Sequence, residues 1–208
     1  MEQFDNIDDY IADLKSKLRD NPSCGNTHYN LGVAYLSRRD FVEAEREFLD
    51  AVAHSPRMAE AYVQLGGIAL QRGDMDSCLS YNVQATQQRP FFAVPWGNIG
   101  FVYMQQGDND KAHKSLKKAL KLDPEFAQAR ATMSSVLIAM GDFEEADQVL
   151  KTLLEKHSHF GPGWNNKAII EAERGNWAEA ATCIERAEES GFEVPADFKK
   201  EVQDQVAK

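Results

Sequence analysis

The chain has 208 residues, with 33 acidic against 23 basic side chains, a formal charge of -10 and 43% hydrophobic residues. That composition belongs to soluble globular chains, and the acidic balance excludes the basic face of a nucleic-acid binder. Cys24, Cys78 and Cys183 stand at no metal-like spacing, no apolar run reaches the ~18 residues of a membrane span, and the first residues lack a signal-peptide pattern, so a cytoplasmic protein is expected.

The first element is a helix. Phe4, Ile7, Ile11, Leu14 and Leu18 form one apolar stripe, with Asp5, Asp8 and Asp9 near its start, where the helix dipole favours negative charge. Beyond it the sequence repeats. Pro22, Pro56, Pro90 and Pro124 recur at one interval of 34 residues, and Gly73, Gly107, Gly141 and Gly175 keep the same interval. So do Gly32, Gly66 and Gly100, continued by Ser134 and Ala168, and the series Ala44, Cys78, Ala112, Ala146, Ala180. Within a unit the apolar period is helical, as in Leu31, Ala34 and Tyr35, echoed by Ile99, Val102 and Tyr103. A Gly-Asp or Gly-Asn pair then breaks the helix. Glycine takes the left-handed conformation that closes one helix, and the acid or amide caps the next. A second stripe follows, as in Ala44, Phe48, Ala51 and Val52, and proline ends the unit. Each unit is a helical hairpin.

These motifs resemble the tetratricopeptide repeat family, most closely at Trp96, Ile99, Gly100, Tyr103, Ala112, Leu116, Ala119 and Pro124. The resemblance implies an all-α fold: a right-handed α-solenoid of five hairpins with a capping helix at each end. The expected boundaries are 1–24 for the N-terminal cap, then 25–58, 59–92, 93–126, 127–160 and 161–194, with 195–208 as the C-terminal cap. In the C-terminal cap Phe198 and Val202 take buried slots, while Glu201 and Gln205 replace the usual Leu and Tyr. Each hairpin leaves an apolar face that its neighbour buries, giving one continuous stack.

The resemblance also implies a concave groove lined by the first helices. Carried over unit by unit, it names Tyr29, Val33 and Leu36, then Glu60, Val63, Leu70 and Gln71. Val94, Phe101, Met104 and Gln105 follow, then Ser135 and Ile138, then Asn165, Ile169 and Glu173. Apolar residues on a face that otherwise meets water mark a binding surface. Asn30, Gln64, Asn98, Thr132 and Asn166 run alongside at the same period. Such amides either clamp the backbone of an extended peptide, since an amide both donates and accepts, or hydrogen-bond the neighbouring helix. The carboxylate clamp of chaperone-binding members is not expected. Tyr29 and Val33 stand where Lys and Asn belong, and Val94 and Asn98 stand where Lys and Arg belong.

Other constellations have plainer readings. Lys111, Lys114, Lys117, Lys118 and Lys121 read as a solvated face, and Glu155, His157 and His159 lack the further ligands of a metal site. Cys78 and Cys183 read as small buried hydrophobes. Asn82 stands where a large apolar residue is usual, and Lys167 and Glu171 occupy normally buried slots of the fifth unit, either pairing or letting that hairpin open. No phosphate loop, zinc-protease motif or nucleophile elbow is present. The expectation is a non-enzymatic adaptor or scaffold that binds a peptide or protein segment in its groove, without cofactor, metal, nucleic acid or membrane. The alternative is a unit that self-assembles into homo-oligomers by swapping Phe4 to Leu18 into a second copy.

Overall fold

The computed structural model describes residues 6–208, and every regular element among them is an α-helix. Helix α1 spans Ile7–Asp20, followed by α2 (Gly25–Ser37), α3 (Phe41–His54), α4 (Ala59–Gln71), α5 (Met75–Gln88) and α6 (Ala93–Gln105). Then come α7 (Asn109–Leu122), α8 (Ala127–Ala139), α9 (Phe143–Lys156), α10 (Gly161–Glu173), α11 (Trp177–Glu189) and α12 (Ala196–Val206). Each 34-residue period therefore holds two helices, as expected. Phe4, the expected start of the N-terminal stripe, lies outside the described residues. The chain divides between Val102 and Tyr103, inside α6, into two compact units.

The breaks between paired helices follow the sequence closely. Gly73, Gly107, Gly141 and Gly175 all have φ between +76° and +80°, a region that costs an L-residue roughly 1–2 kcal/mol. Arg39 stands in the same register of the first hairpin and is held there at φ 65°. The next residue opens the following helix. Asp74, Asp108 and Asp142 accept from the backbone N–H of Ser77, Lys111 and Glu145 at 3.0–3.2 Å. Asn176 departs from this pattern, because its Nδ2 donates to Glu171 Oε2 at 2.8 Å instead of its carbonyl capping α11.

In the first unit, α1 packs its buried Ile11 and Leu14 into one cluster with Leu31, Ala34 and Tyr35 of α2, Phe48 of α3 and Leu65 of α4. Ile7 stays exposed and Leu18 half-buried. Full burial of a Leu or Phe side chain stabilises by roughly 1.5–3 kcal/mol, so this cluster fixes α1 to the first hairpin. Helix α2 crosses α3 so closely that a Cβ at position 32 would stand 2.7 Å from the Phe48 ring, which only glycine avoids. In the second unit, Ala168, Ala172, Ala180, Cys183, Ile184, Ala187, Val194 and Val202 form the cluster that seats α12 against α10 and α11.

Two polar devices recur in register. The first joins the start of a hairpin to the turn before it. His28 Nε2 faces the Pro22 carbonyl at 2.9 Å, Trp96 Nε1 donates to Pro90 O at 3.2 Å, Arg130 Nε to Pro124 O at 2.9 Å, and Trp164 Nε1 to Ser158 O at 2.7 Å. Each donor lies six residues after its acceptor, and the side chain differs while the N–H is kept. Tyr62 holds the equivalent place in the second hairpin and has no ring N–H. The second device joins one hairpin to its predecessor. Arg72, just past α4, reaches Glu45 of α3 at 2.8 Å, and Arg174, just past α10, reaches Asp147 of α9 at 2.9 Å. Gln106 and Met140 hold this register in between and carry no charge.

Candidate functional site

The nominated groove residues fall on the first helix of each hairpin, but they are not equally free. In the first unit Val33 and Asn30 are exposed on α2, while Val63 and Gln64 are half-buried on α4, and Val94, Asn98 and Phe101 on α6. Tyr29 and Leu36 pack against the core cluster of the first hairpin, with the Tyr29 ring 5.6 Å from that of Phe48. Leu70 packs likewise against Ala69, Cys78 and Val102. These three therefore serve packing as well as presenting an edge outward. In the second unit Met104, Ser135, Ile138, Asn165 and Ile169 are half-buried, and Gln105 and Glu173 exposed.

The amide series divides. Asn98 Nδ2 donates to Asn82 Oδ1 at 2.9 Å, and Thr132 Oγ1 donates to the Gln128 carbonyl at 2.9 Å. Asn166 is buried and its Nδ2 lies 2.8–3.1 Å from the Ala131 carbonyl and the Ser134 and Ser135 hydroxyls of α8. At Asn98 and Asn166 the neighbouring-helix reading describes the geometry, whereas Thr132 bonds back within its own helix α8. Asn30 and Gln64 make no such bond among the described residues.

Asn82, fully buried on α5, is satisfied. It donates from Nδ2 to the Cys78 carbonyl at 2.8 Å and accepts from Asn98. Lys167 and Glu171 pair at 2.6 Å instead of letting the last hairpin open. Asp147 binds Lys167 at 2.7 Å, and Arg174 and Asn176 complete the set around Glu171. Burial pushes the Glu171 and Asp147 carboxyls up. Hydrogen bonds from Lys167, with Asn176 on Glu171 and Arg174 on Asp147, outweigh that and hold both below the ordinary carboxylate value.

His28, Glu47 and Asp50 are the set of three metal-type side chains brought together among the described residues. Both ring nitrogens of His28 are engaged, however, Nδ1 with Glu47 Oε2 at 2.7 Å and Nε2 with the Pro22 carbonyl. Two acceptors require two N–H donors, which is the imidazolium form. Burial pushes the imidazole pKa down, but the bonds to Glu47 and Pro22 and the charges of Glu47 and Asp50 raise it above the ordinary value. His157, His159 and Glu155 are all exposed, and the α7 lysines face solvent, with Lys111 paired to Asp108 at 2.6 Å.

Two clefts open in the second unit. A cleft of about 540 Å³ opens between α10 and α12, lined by Asn165, Ile169, Ala172, Glu173, Trp177, Pro195, Phe198 and Glu201. Three of these were nominated from the sequence. Trp177, Phe198 and Glu201 were not, because Phe198 and Glu201 read as parts of a cap. The signal for Trp177 is its register, since it continues the series Phe41, Met75, Asn109 and Phe143 that opens each second helix. The Oδ1 of Asn165 is buried and finds no hydrogen-bond partner. A second cleft of about 480 Å³ lies between α9, α10 and α11, where the Arg186 guanidinium sits 4.5 Å from the centre of the Trp164 ring.

A family model for the Cilia and flagella-associated protein 70 C-terminal domain, itself a tetratricopeptide model, matches residues 13–157, most of the chain. A tetratricopeptide repeat model matches residues 132–194. The chain belongs to the tetratricopeptide repeat family. Among solved structures, this tetratricopeptide chain is similar to PilF of Pseudomonas aeruginosa, with TM-score 0.82 and 17% identity over 96% of this chain and 90% of that one. It is similar to YrrB, a tetratricopeptide protein with an unusual peptide-binding site, with TM-score 0.71 and 15% identity over 92% and 97%. MamA matches with TM-score 0.63 and 24% identity over 73% and 83%. At these identities the likeness shows the shared fold. No curated protein matches the sequence, and no helix among the described residues is long and apolar enough to cross a membrane.

Proposed function

We propose that this tetratricopeptide protein is a non-enzymatic adaptor that holds a segment of another protein against its first helices. The observation that carries the reading is the α10–α12 cleft. It gathers the nominated Asn165, Ile169 and Glu173 with the apolar side chains of Ala172, Trp177, Pro195 and Phe198. Apolar walls supply affinity. Rigid paired helices hold the surface in place beforehand, so little ordering is spent on binding. The likeness to a fold that elsewhere carries a peptide-binding site supports the same reading.

Self-assembly through the N-terminal helix has less support. Ile11 and Leu14, the residues a swapped arm would offer, are buried within their own chain against α2 and α3.

The test is a displayed library of random peptides panned on the full-length protein. Wild type should enrich a peptide family, and Ile169→Asp should lose it while keeping helicity and melting temperature. Phe101→Asp and Met104→Asp ask the same of α6. Failure of the wild-type protein to enrich any peptide would overturn the reading.

A further inference from the structure

The α10–α12 cleft has a chemistry more specific than an apolar groove. Its ionisable lining is entirely acidic. Glu173 closes α10 and Glu201 lies on α12; both are exposed, neither makes an ion pair among the described residues, and no Lys, Arg or His lines the cleft. Arg174, next to Glu173, is spent on Asp147 and Glu171, and of the two lysines before Glu201, Lys199 is paired with Glu188 while Lys200 is exposed and does not line the cleft. Glu173 also stands at the carbonyl end of its helix, where the dipole adds negative potential. Trp177 and Phe198 line the same cleft, and aromatic faces attract cations through their quadrupole. Two carboxylates without an ion pair and two aromatic side chains make a receptor for a donor-rich cation with an apolar neighbour.

We propose that the α10–α12 cleft selects a protein segment in which an arginine or lysine stands beside a large apolar residue. The inference rests on the peptide-binding reading above and adds the partner's charge to it. The cationic head lies between Glu173 and Glu201 over the Trp177 ring, and the apolar neighbour covers Ile169, Ala172 and Pro195. The remaining charge of this hairpin favours the same sign of partner, since residues 161–194 hold seven acids and three bases.

The experiment is the peptide panning above, read by composition and repeated on a Glu173→Gln/Glu201→Gln protein. Both substitutions lie on exposed positions, so circular dichroism should match wild type. The expected result is a wild-type pool rich in Arg or Lys next to Leu, Phe or Trp. Synthetic peptides from it should bind the double variant about three- to tenfold more weakly, with the gap narrowing as salt rises. A wild-type pool without cations, or one bound equally by the double variant, overturns the charge assignment and leaves the groove reading standing. An empty wild-type pool overturns both. Trp177→Leu separates the aromatic contribution, and binding unchanged by it would remove the cation–aromatic part of the site.

Discussion

Asn98 on α6 donates its side-chain amide to Asn82 on α5 at 2.9 Å, so one residue of the apparent peptide clamp is committed to a buried partner. Asn82 is wholly enclosed, and a Cβ at Gly66 would stand 2.4 Å from its Nδ2. Removing the donor strands an acceptor in the core. Asn98→Ala should therefore destabilise by about 1–2 kcal/mol. In a double-mutant cycle with Asn82→Ala the two losses should fall short of additive, as for groups sharing one bond. Chemical denaturation measures it, and strict additivity would mean that the bond contributes nothing.

Arg39 is exposed and keeps the left-handed conformation that the four later hairpins assign to glycine. Arg39→Gly should stabilise by about 1 kcal/mol, since the strain relieved exceeds the entropy that glycine adds to the unfolded chain. A thermal melt with no rise, or a fall, would show that the Arg39 side chain contributes more than its backbone costs.

The His28 imidazolium ties α2 to Glu47 on α3 and to the Pro22 carbonyl after α1. Its pKa is raised on folding, so its contribution is complete below the unfolded value of about 6.5 and disappears as pH climbs through the higher folded value. Stability at pH 6 should exceed that at pH 8, and His28→Gln should flatten the difference. An equal slope in both proteins would assign it to other groups.

Lys167 neutralises both Asp147 and Glu171 at the fifth hairpin. Lys167→Met should cost roughly 2–3 kcal/mol at neutral pH, somewhat less than a fully broken buried pair because Arg174 remains. The two carboxyls titrate lower in the folded chain than their ordinary values of 4.5 and 3.8. Their contribution is thus present above those values and lost as pH falls through the folded ones. The penalty of the substitution should shrink toward pH 3, and a penalty independent of pH would point to lost packing instead.

The fold was readable because its signals are local and repeat: the period, the left-handed glycines and the capping Asp after Gly73, Gly107 and Gly141 all act within a few residues. The site was less readable because its residues meet across helices. Sequence register placed Asn98 and Asn166 in one row, yet only packing reveals that each is bound to another helix. Phe198 and Glu201 looked like a solubilising cap, and their second role depends on how α12 stands beside α10. Asn176, after Gly175, has the composition of a cap and turns to Glu171 because Lys167 and Glu171 had already brought charge there.

The bond from the start of a hairpin to the preceding turn uses His28, Trp96, Arg130 and Trp164 in turn. Its acceptor is a backbone carbonyl, which no mutation removes. Where the bond is made, the position asks for an N–H and not for one residue, and an imidazole, an indole and a guanidinium all supply it, while the second hairpin forms without it at Tyr62. Repeats built this way diverge in their letters faster than in their hydrogen bonds.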